Sequence, residues 1–539
     1  MPLGILEDDK LEHVPGTAPL NEVGREDLEV VAGGVDSRAL KHDKTGKIVL
    51  VPQPSDSPND PYNWPRWKKE MFTLAMAYGC GAVGAVGPLP TPAIVPLAEQ
   101  FDIPLQSFTL GCQGSCIAAI AVGSLLCNTL AVKVGKRPIY IITSIGLMVS
   151  CFWAAEAKSF ASLAAARAVM GFCMAPMEAL IPASIGDIWF LHERGFRNAI
   201  FNLGVLGGIN LASPIAGAVI QYGSFRIAFH AMGAAFAVQT IITILFMPES
   251  AYHRDAVNID ESATNPTAHS DEKMSATAEH SEVQQSIETE APKSFLRELL
   301  PYDGYWDKTS FWRTLILPFT LLTSPMVAWA TLLFTTCISW LVLISITLSQ
   351  IFSAPPYSFS VAAVGASNVS SFVATLLATA VAGPLIDGVA RFMSRKNNGI
   401  FEPEFRLPVM VMFLITAAGF LAWGESLYNQ DPWVVPIIVC MGLINLGVQL
   451  GTSSVVTYVT DCHRKEAAEA FAVMNFVKNL FAFGLTFYCN DWIAVQGVRN
   501  CFFVIGGITV GVTLLTIPMY IFGKRARSLT HRMSSKKSQ

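Results

Sequence analysis

The stretch 128-NTLAVKVGKRP-138 sets three basic residues, Lys133, Lys136 and Arg137, and a proline between two long apolar runs. Far downstream, 383-GPLIDGVARFMSRK-396 follows the same pattern. Short basic turns between apolar segments are what a chain carries at its cytoplasmic bends when it crosses a bilayer repeatedly. Composition agrees. The 539 residues have a mean hydropathy of +0.43, and 52% are hydrophobic against 14% charged. A soluble protein is about a quarter charged, so the class is a polytopic membrane protein.

Apolar runs long enough for the ~30 Å hydrocarbon core lie near 71–97, 107–131, 138–157, 160–185, 199–221 and 226–247, then near 314–349, 359–384, 406–427, 432–458, 466–490 and 500–522. The expected fold is therefore all-α, with twelve transmembrane helices as two pseudo-symmetric six-helix bundles. It divides into an N-terminal tail at 1–70, a first bundle at 71–250, an acidic linker at 251–310, a second bundle at 311–522 and a basic tail at 523–539. The linker segment 258-NIDESATNPTAHSDEKMSATAEHSEVQQSIETE-290 is acidic and poor in aromatics, which predicts disorder. The polar N-terminus, 1-MPLGILEDDKLEHVPG-16, has no apolar signal region. Both quoted basic stretches are expected at the inner turn between the second and third helix of their half. That repeat is the mark of secondary transporters, two bundles with a path between them. Lys133, Lys136, Arg137, Arg194, Arg197, Arg391, Arg395, Lys396, Arg406, Arg464 and Lys465 fall on one side, which predicts both termini cytoplasmic.

The repeat, the linker and the turns resemble the major facilitator superfamily, whose turn reads roughly G-x-L-x-D-R-x-G-R-R. The first copy keeps Leu130, Gly135, Lys136 and Arg137 but has Asn128 for the first Gly and Val132 for the Asp; the second keeps Gly383 and Asp387. The resemblance implies that these turns latch the halves in one conformation, and it assigns Asp187 a structural part in that latch. In the fourth helix, 163-LAAARAVMGF-172 resembles an antiporter pattern of Arg followed by Gly. In the fifth, 204-GVLGGINLASPIAGA-218 is similar to the glycine–proline element of drug:proton antiporters, marking Gly208, Pro214 and Gly217. The stretches 56-DSPNDPYNWPRWKK-69, 175-APMEALIPASIGDIWFLHERG-195 and 475-NFVKNLFAFGLTFYCNDW-492 resemble a fungal efflux branch of that group, while 248-PES-250 is similar to sugar porters.

A charge inside lipid costs about 2.5 kcal/mol or more, so each one in a span is a functional candidate. Three stand out: Arg167, Glu178 and Lys478. Arg167, Gly171, Met174 and Glu178 share a helix face, with ~16 Å along the axis between the two charges. Glu178 and Arg167 are the candidates for proton coupling. The alternatives are an Arg167 that snorkels to the interface and a Glu178 that pairs with a loop cation or caps a helix. Lys478 with Asn475 and Asn479, together with Asn368, Asn445 and Gln449, are candidates for the substrate cavity; the polar stripes on these helices serve equally as interhelical hydrogen bonds. Trp329, Trp340, Tyr357 and Phe359 fit either a cavity wall or lipid contact.

No GxxxxGK[ST] loop occurs, so a proton gradient, with no cofactor, is the expected energy source. Only His230 among the nine His lies in a span, which excludes a histidine-rich metal enzyme. Two cations against one anion in the core favour a neutral or anionic amphipathic substrate. The function expected is proton-coupled export of a drug, toxin or secondary metabolite, by a monomer in contact with lipid and without nucleic acid, most naturally in the plasma membrane. The alternatives are an importer of a nutrient or polyamine and a sensor of the same shape.

Overall fold

The structure, a computed structural model, describes residues 3–7, 14, 16–19, 54–55, 57–252, 293–302, 304–306, 309–398, 400–462 and 467–538. The disorder expected for the acidic linker falls largely on residues outside these. Eleven helices among the described residues are long and apolar enough to cross a membrane. Spans 1 to 6 are Arg66–Gln100, Leu105–Val134, Lys136–Ala155, Phe160–Ile188, Phe196–Tyr222 and Phe225–Phe246. Spans 7 to 10 are Pro325–Ser353, Val361–Lys396, Pro403–Tyr428 and Val435–Cys462, and span 12 is Val498–Arg532. Between the last two, Ala467–Thr486 and Cys489–Gln496 form one apolar pair bent by 52°, which is span 11. The chain is thus an all-helical, multi-pass membrane protein; the one strand pairing among the described residues joins Ala18–Pro19 to Ile400–Phe401.

Three departures from the sequence reading have local causes. The run at 314–349 is two helices, Phe311–Leu321 and Pro325–Ser353, because Pro325 has no N–H to continue the first and serves well at the start of the second. The stretch 383–396 is not a turn. Asn368–Lys396 is continuous helix, and the bend comes at Asn397 and Asn398, the latter at φ 53°. The basic tail is helical too, in Thr516–Ser538, continuous with span 12.

Span 1 carries the most consequential irregularity. Its first helix stops at Val86, resumes as a 3₁₀ turn at Thr91–Ala93 and continues as Ile94–Gln100. The cause is 88-PLPTP-92: Pro88 and Pro90 lack the N–H groups that the carbonyls of Gly84 and Val86 would otherwise receive. A carbonyl freed inside a membrane protein needs another donor.

Each half has its own hydrophobic core, one running from Trp64 to Met247 and the other from Leu321 to Met519 with Leu206 added from span 5. The halves meet where span 2 lies on span 11 and span 5 on span 8. We call the end with Lys133, Lys136, Arg137 and Arg406 the basic face. At the far face, hydrogen bonds cross between the halves: Ser349 to the Pro92 carbonyl (3.3 Å), Asn490 to Gln106 (3.0 Å) and Thr109 (3.2 Å), and the Ala362 N–H to Gln221 (2.7 Å). These bonds tie the two halves together at that face.

Candidate functional site

Arg167 is fully buried, so it does not snorkel. Its guanidinium donates to the Val86 carbonyl at 2.8 Å, the Gly87 carbonyl at 2.6 Å, the Gln113 side-chain oxygen at 2.7 Å and the Cys112 carbonyl at 3.3 Å. Val86 is the residue whose helical donor Pro90 removes. Cys112 and Gln113 lie in the π-helical turn Leu110–Gly114 of span 2. Arg167 therefore binds the irregular backbone of spans 1 and 2 through neutral acceptors, and none of its partners among the described residues is a carboxylate. Gln113 escaped the sequence reading; the prolines at 88 and 90 were the available signal.

Glu178 faces elsewhere. Its Oε2 lies 2.8 Å from Nζ of Lys478, with the two side chains 15% and 8% exposed. This pair joins span 4 of the first half to span 11 of the second. Lys478 also sits 5.7 Å from the Phe334 ring, and its own carbonyl receives the Ser339 hydroxyl at 3.4 Å. The spacing that put Arg167 and Glu178 on one stripe holds, but they serve different neighbours. The cation that pairs with Glu178 is an intramembrane one and not a loop residue.

The polar stripes resolve into a seam. Asn210 of span 5 donates to Thr375 (3.1 Å) and to Asn445 (3.2 Å), and Asn445 donates to Ser371 (2.9 Å). Gln449 reaches Thr379 at 2.8 Å, and Asn202 reaches Ser453 at 3.2 Å. Asn445 and Gln449 thus join span 10 to spans 5 and 8, the interhelical alternative, at about 0.6 kcal/mol per bond. Asn475 donates back to the Phe471 carbonyl (3.0 Å), Asn479 Nδ2 is buried without a partner, and Asn368 is buried where span 8 breaks after Ala366. In span 5, which bends around no gap at Pro214, Gly208 would place a Cβ 2.3 Å from the Gly81 carbonyl, and Gly217 one 2.8 Å from that of Val361. Trp329 stacks edge-on against Tyr458 at 5.7 Å and Trp340 against Phe481 at 5.8 Å, so both face protein.

The basic turn has an unforeseen anion. Gly135, at φ 92°, ends span 2 and opens span 3, and the N–H groups of Lys136 and Arg137 donate to Glu249 at 3.1 and 3.0 Å. Helix N-termini favour such a carboxylate. Lys136 also bridges to Asp187 at 2.5 Å. In the second half, Arg406 bridges Asp387 at 2.9 Å and Asp461 at 2.6 Å, and Gly383 lines a small crevice with Asp387, Ala199, Ser453 and Thr457. No group of His, Cys, Asp and Glu among the described residues is arranged to hold a metal.

Comparison with known proteins agrees with this architecture. The chain is 26% identical to Protein HOL1 of Saccharomyces cerevisiae, over 97% of each chain. It is 26% identical to the multidrug transporter DTR1 of Candida glabrata, over 81% of this chain and 82% of that one. The fold matches the proton:xylose symporter XylE with a TM-score of 0.58 at 14% identity, covering 85% of this chain and 97% of the other. The family model of the Major Facilitator Superfamily matches residues 72–486, and the chain belongs to that superfamily of secondary transporters, not to an enzyme family.

Proposed function

We propose that this chain exports small amphipathic molecules in exchange for protons, by alternating access, with the Glu178–Lys478 pair as the coupling element. The observation that carries this is a salt bridge, 2.8 Å long and mostly buried, that crosses from one half to the other. A buried pair is stable while both charges are satisfied, but removing one partner costs about 3–5 kcal/mol. Each half of the cycle must therefore supply a replacement partner.

The sign of the coupling follows from which charge the substrate replaces. A substrate offering a cation or a hydrogen-bond donor to Glu178 competes with a proton for the same carboxylate, and competition gives exchange. An anion that binds Lys478 strands Glu178 and favours its protonation, so anion and proton travel together. The core charge that favoured anions counted Arg167, which is engaged by carbonyls of spans 1 and 2. Without it the accessible pair is neutral overall, and exchange points to neutral or cationic amphipaths. Relatives described as multidrug transporters support efflux. The basic face is cytoplasmic by the concentration of Lys and Arg in its turns, the membrane is the plasma membrane, and the working unit is one chain with both halves.

Purified protein in liposomes with an imposed pH gradient tests this. A lipophilic cation such as tetraphenylphosphonium should move against the proton flux. Glu178→Gln should abolish the pH-driven movement while leaving exchange of labelled for unlabelled probe. Unchanged pH-driven transport in that variant ends the assignment, and proton-coupled uptake of benzoate without any cation movement reverses the sign.

A further inference from the structure

Two segments outside the spans dock on the basic face, and each docks on the half that it does not lead into. Ile5, Leu6 and Thr17, all before span 1, sit on the second half. Ile5 is fully buried with Ala390, Phe401 and Phe405; the Leu6 N–H donates to the Ile521 carbonyl at 3.0 Å; and the Thr17 hydroxyl donates to Glu402 at 2.8 Å. Arg527, buried beside them, holds Glu402 at 2.6 Å and Glu404 at 2.7 Å. Burial would push the Glu402 carboxyl up, but Arg527 and Lys524 outweigh it and hold it below the usual range.

Residues before span 7 sit on the first half. The Lys293 N–H donates to Asn59 at 2.9 Å, and Glu298 pairs with Lys68 at 2.7 Å. Arg137 donates to the carbonyls of Leu299 and Leu300 at 3.0 Å each. The Trp306 N–H donates to the Lys133 carbonyl at 2.8 Å, and the Lys133 ammonium grips the carbonyl of Thr309. The first-half basic turn therefore holds the chain entering the second half.

The two straps differ in reach. The N-terminal one contacts the second half at Ile5, Leu6 and Thr17, well before span 1 starts at Arg66. The other is short. Phe311 follows Thr309 almost at once, and the helix Phe311–Leu321 lies across spans 2 and 11, with Phe319 against Phe476 at 5.4 Å. Spans 2 and 11 belong to different halves.

We propose that the stretches 293–302, 304–306 and 309–321 form a brace across the halves at the basic face, held on the first half by Lys68, Lys133 and Arg137. Opening at that face moves spans 2 and 11 apart beneath the helix. The brace then loses either its carbonyl and ion-pair contacts on the first half or its aromatic contact on the second. It thus biases the carrier against the state open at the basic face.

The Lys68–Glu298 pair offers a test that leaves the coupling residues untouched. Full-length protein in nanodiscs would carry spin labels at Phe196 and Phe392, both exposed at the basic ends of spans 5 and 8. Lys68→Glu and Glu298→Lys should each raise the longer-distance population at least threefold, and the combined K68E/E298K exchange should bring it back. Single variants with the wild-type distribution, or an exchange that stays shifted, overturn the brace. Neither result depends on whether Glu178 carries protons.

Discussion

The two basic ends that look alike in sequence are held by different means. In the second half Arg406 sits between two carboxylates, Asp387 within span 8 and Asp461 at the end of span 10, with only 8% of its side chain exposed. In the first half the position matching Asp387 is Val132, and Lys136 meets Asp187 alone. A guanidinium fork can serve two acids at fixed geometry, whereas an ammonium is a compact point charge. The acid missing at 132 has a substitute in a different place: Glu249, after span 6, which binds the opening N–H groups of span 3. The helix lengths follow suit. Span 2 ends two residues after Val132, at Val134, while span 8 runs nine residues past Asp387, to Lys396. One half is thus held by a charge triad whose Arg406 and Asp461 are buried while Asp387 is 37% exposed, and the other by a capped helix start plus the brace.

If that contrast is right, Arg406→Ala should be the most damaging change at either end. It leaves Asp461 buried without its cation, a loss of about 3–5 kcal/mol, read as a lowered unfolding midpoint in detergent. Arg406→Lys should fall between, since it keeps the charge and loses the fork. A midpoint no lower than that of Lys136→Ala, where Asp187 keeps 30% of its side chain in solvent and loses less with its cation than the buried Asp461 does, would erase the contrast. Gly135→Ala comes next. Its Cβ would lie 2.3 Å from Glu249 Oε2, on a residue at φ 92°. Strain of about 1–3 kcal/mol is expected, and it should shrink when Glu249→Ala is combined with it, because the clash is with that side chain.

These residues also show how far a sequence speaks. Apolar runs of span length are additive and local, so the helices could be counted without neighbours. The 52° bend in span 11 could not, because no proline lies between Thr486 and Cys489. Glu178 and Lys478 were each conspicuous as charges in lipid, but their pairing depends on how two bundles face each other across 300 residues of chain. Arg167 was legible as unusual, yet its task was written in Pro88 and Pro90, in a different helix. Glu249 lay in a motif already noticed, 248-PES-250, without any local sign that a distant turn would need an acid. The straps are polar and irregular, and periodicity has nothing to say about which half receives them.

The smallest effect is the sharpest probe of the comparison. V132D returns to the first half the acid that the second half has. If the two ends worked alike, it would add a second anchor and stabilise by about 1 kcal/mol or more. Here it should not. Lys136 already gives its ammonium to Asp187 at 2.5 Å, and Glu249 occupies the nearby helix start. A new carboxylate would share one point charge and repel Glu249, for a net change within about 0.5 kcal/mol. Adding K136R changes the terms, because a fork can hold two acids where an ammonium cannot. The double variant should exceed the sum of its singles by about 0.5–1 kcal/mol in a double-mutant cycle of unfolding free energies. Additivity within error would mean that geometry, and not the choice between lysine and arginine, separates the two ends.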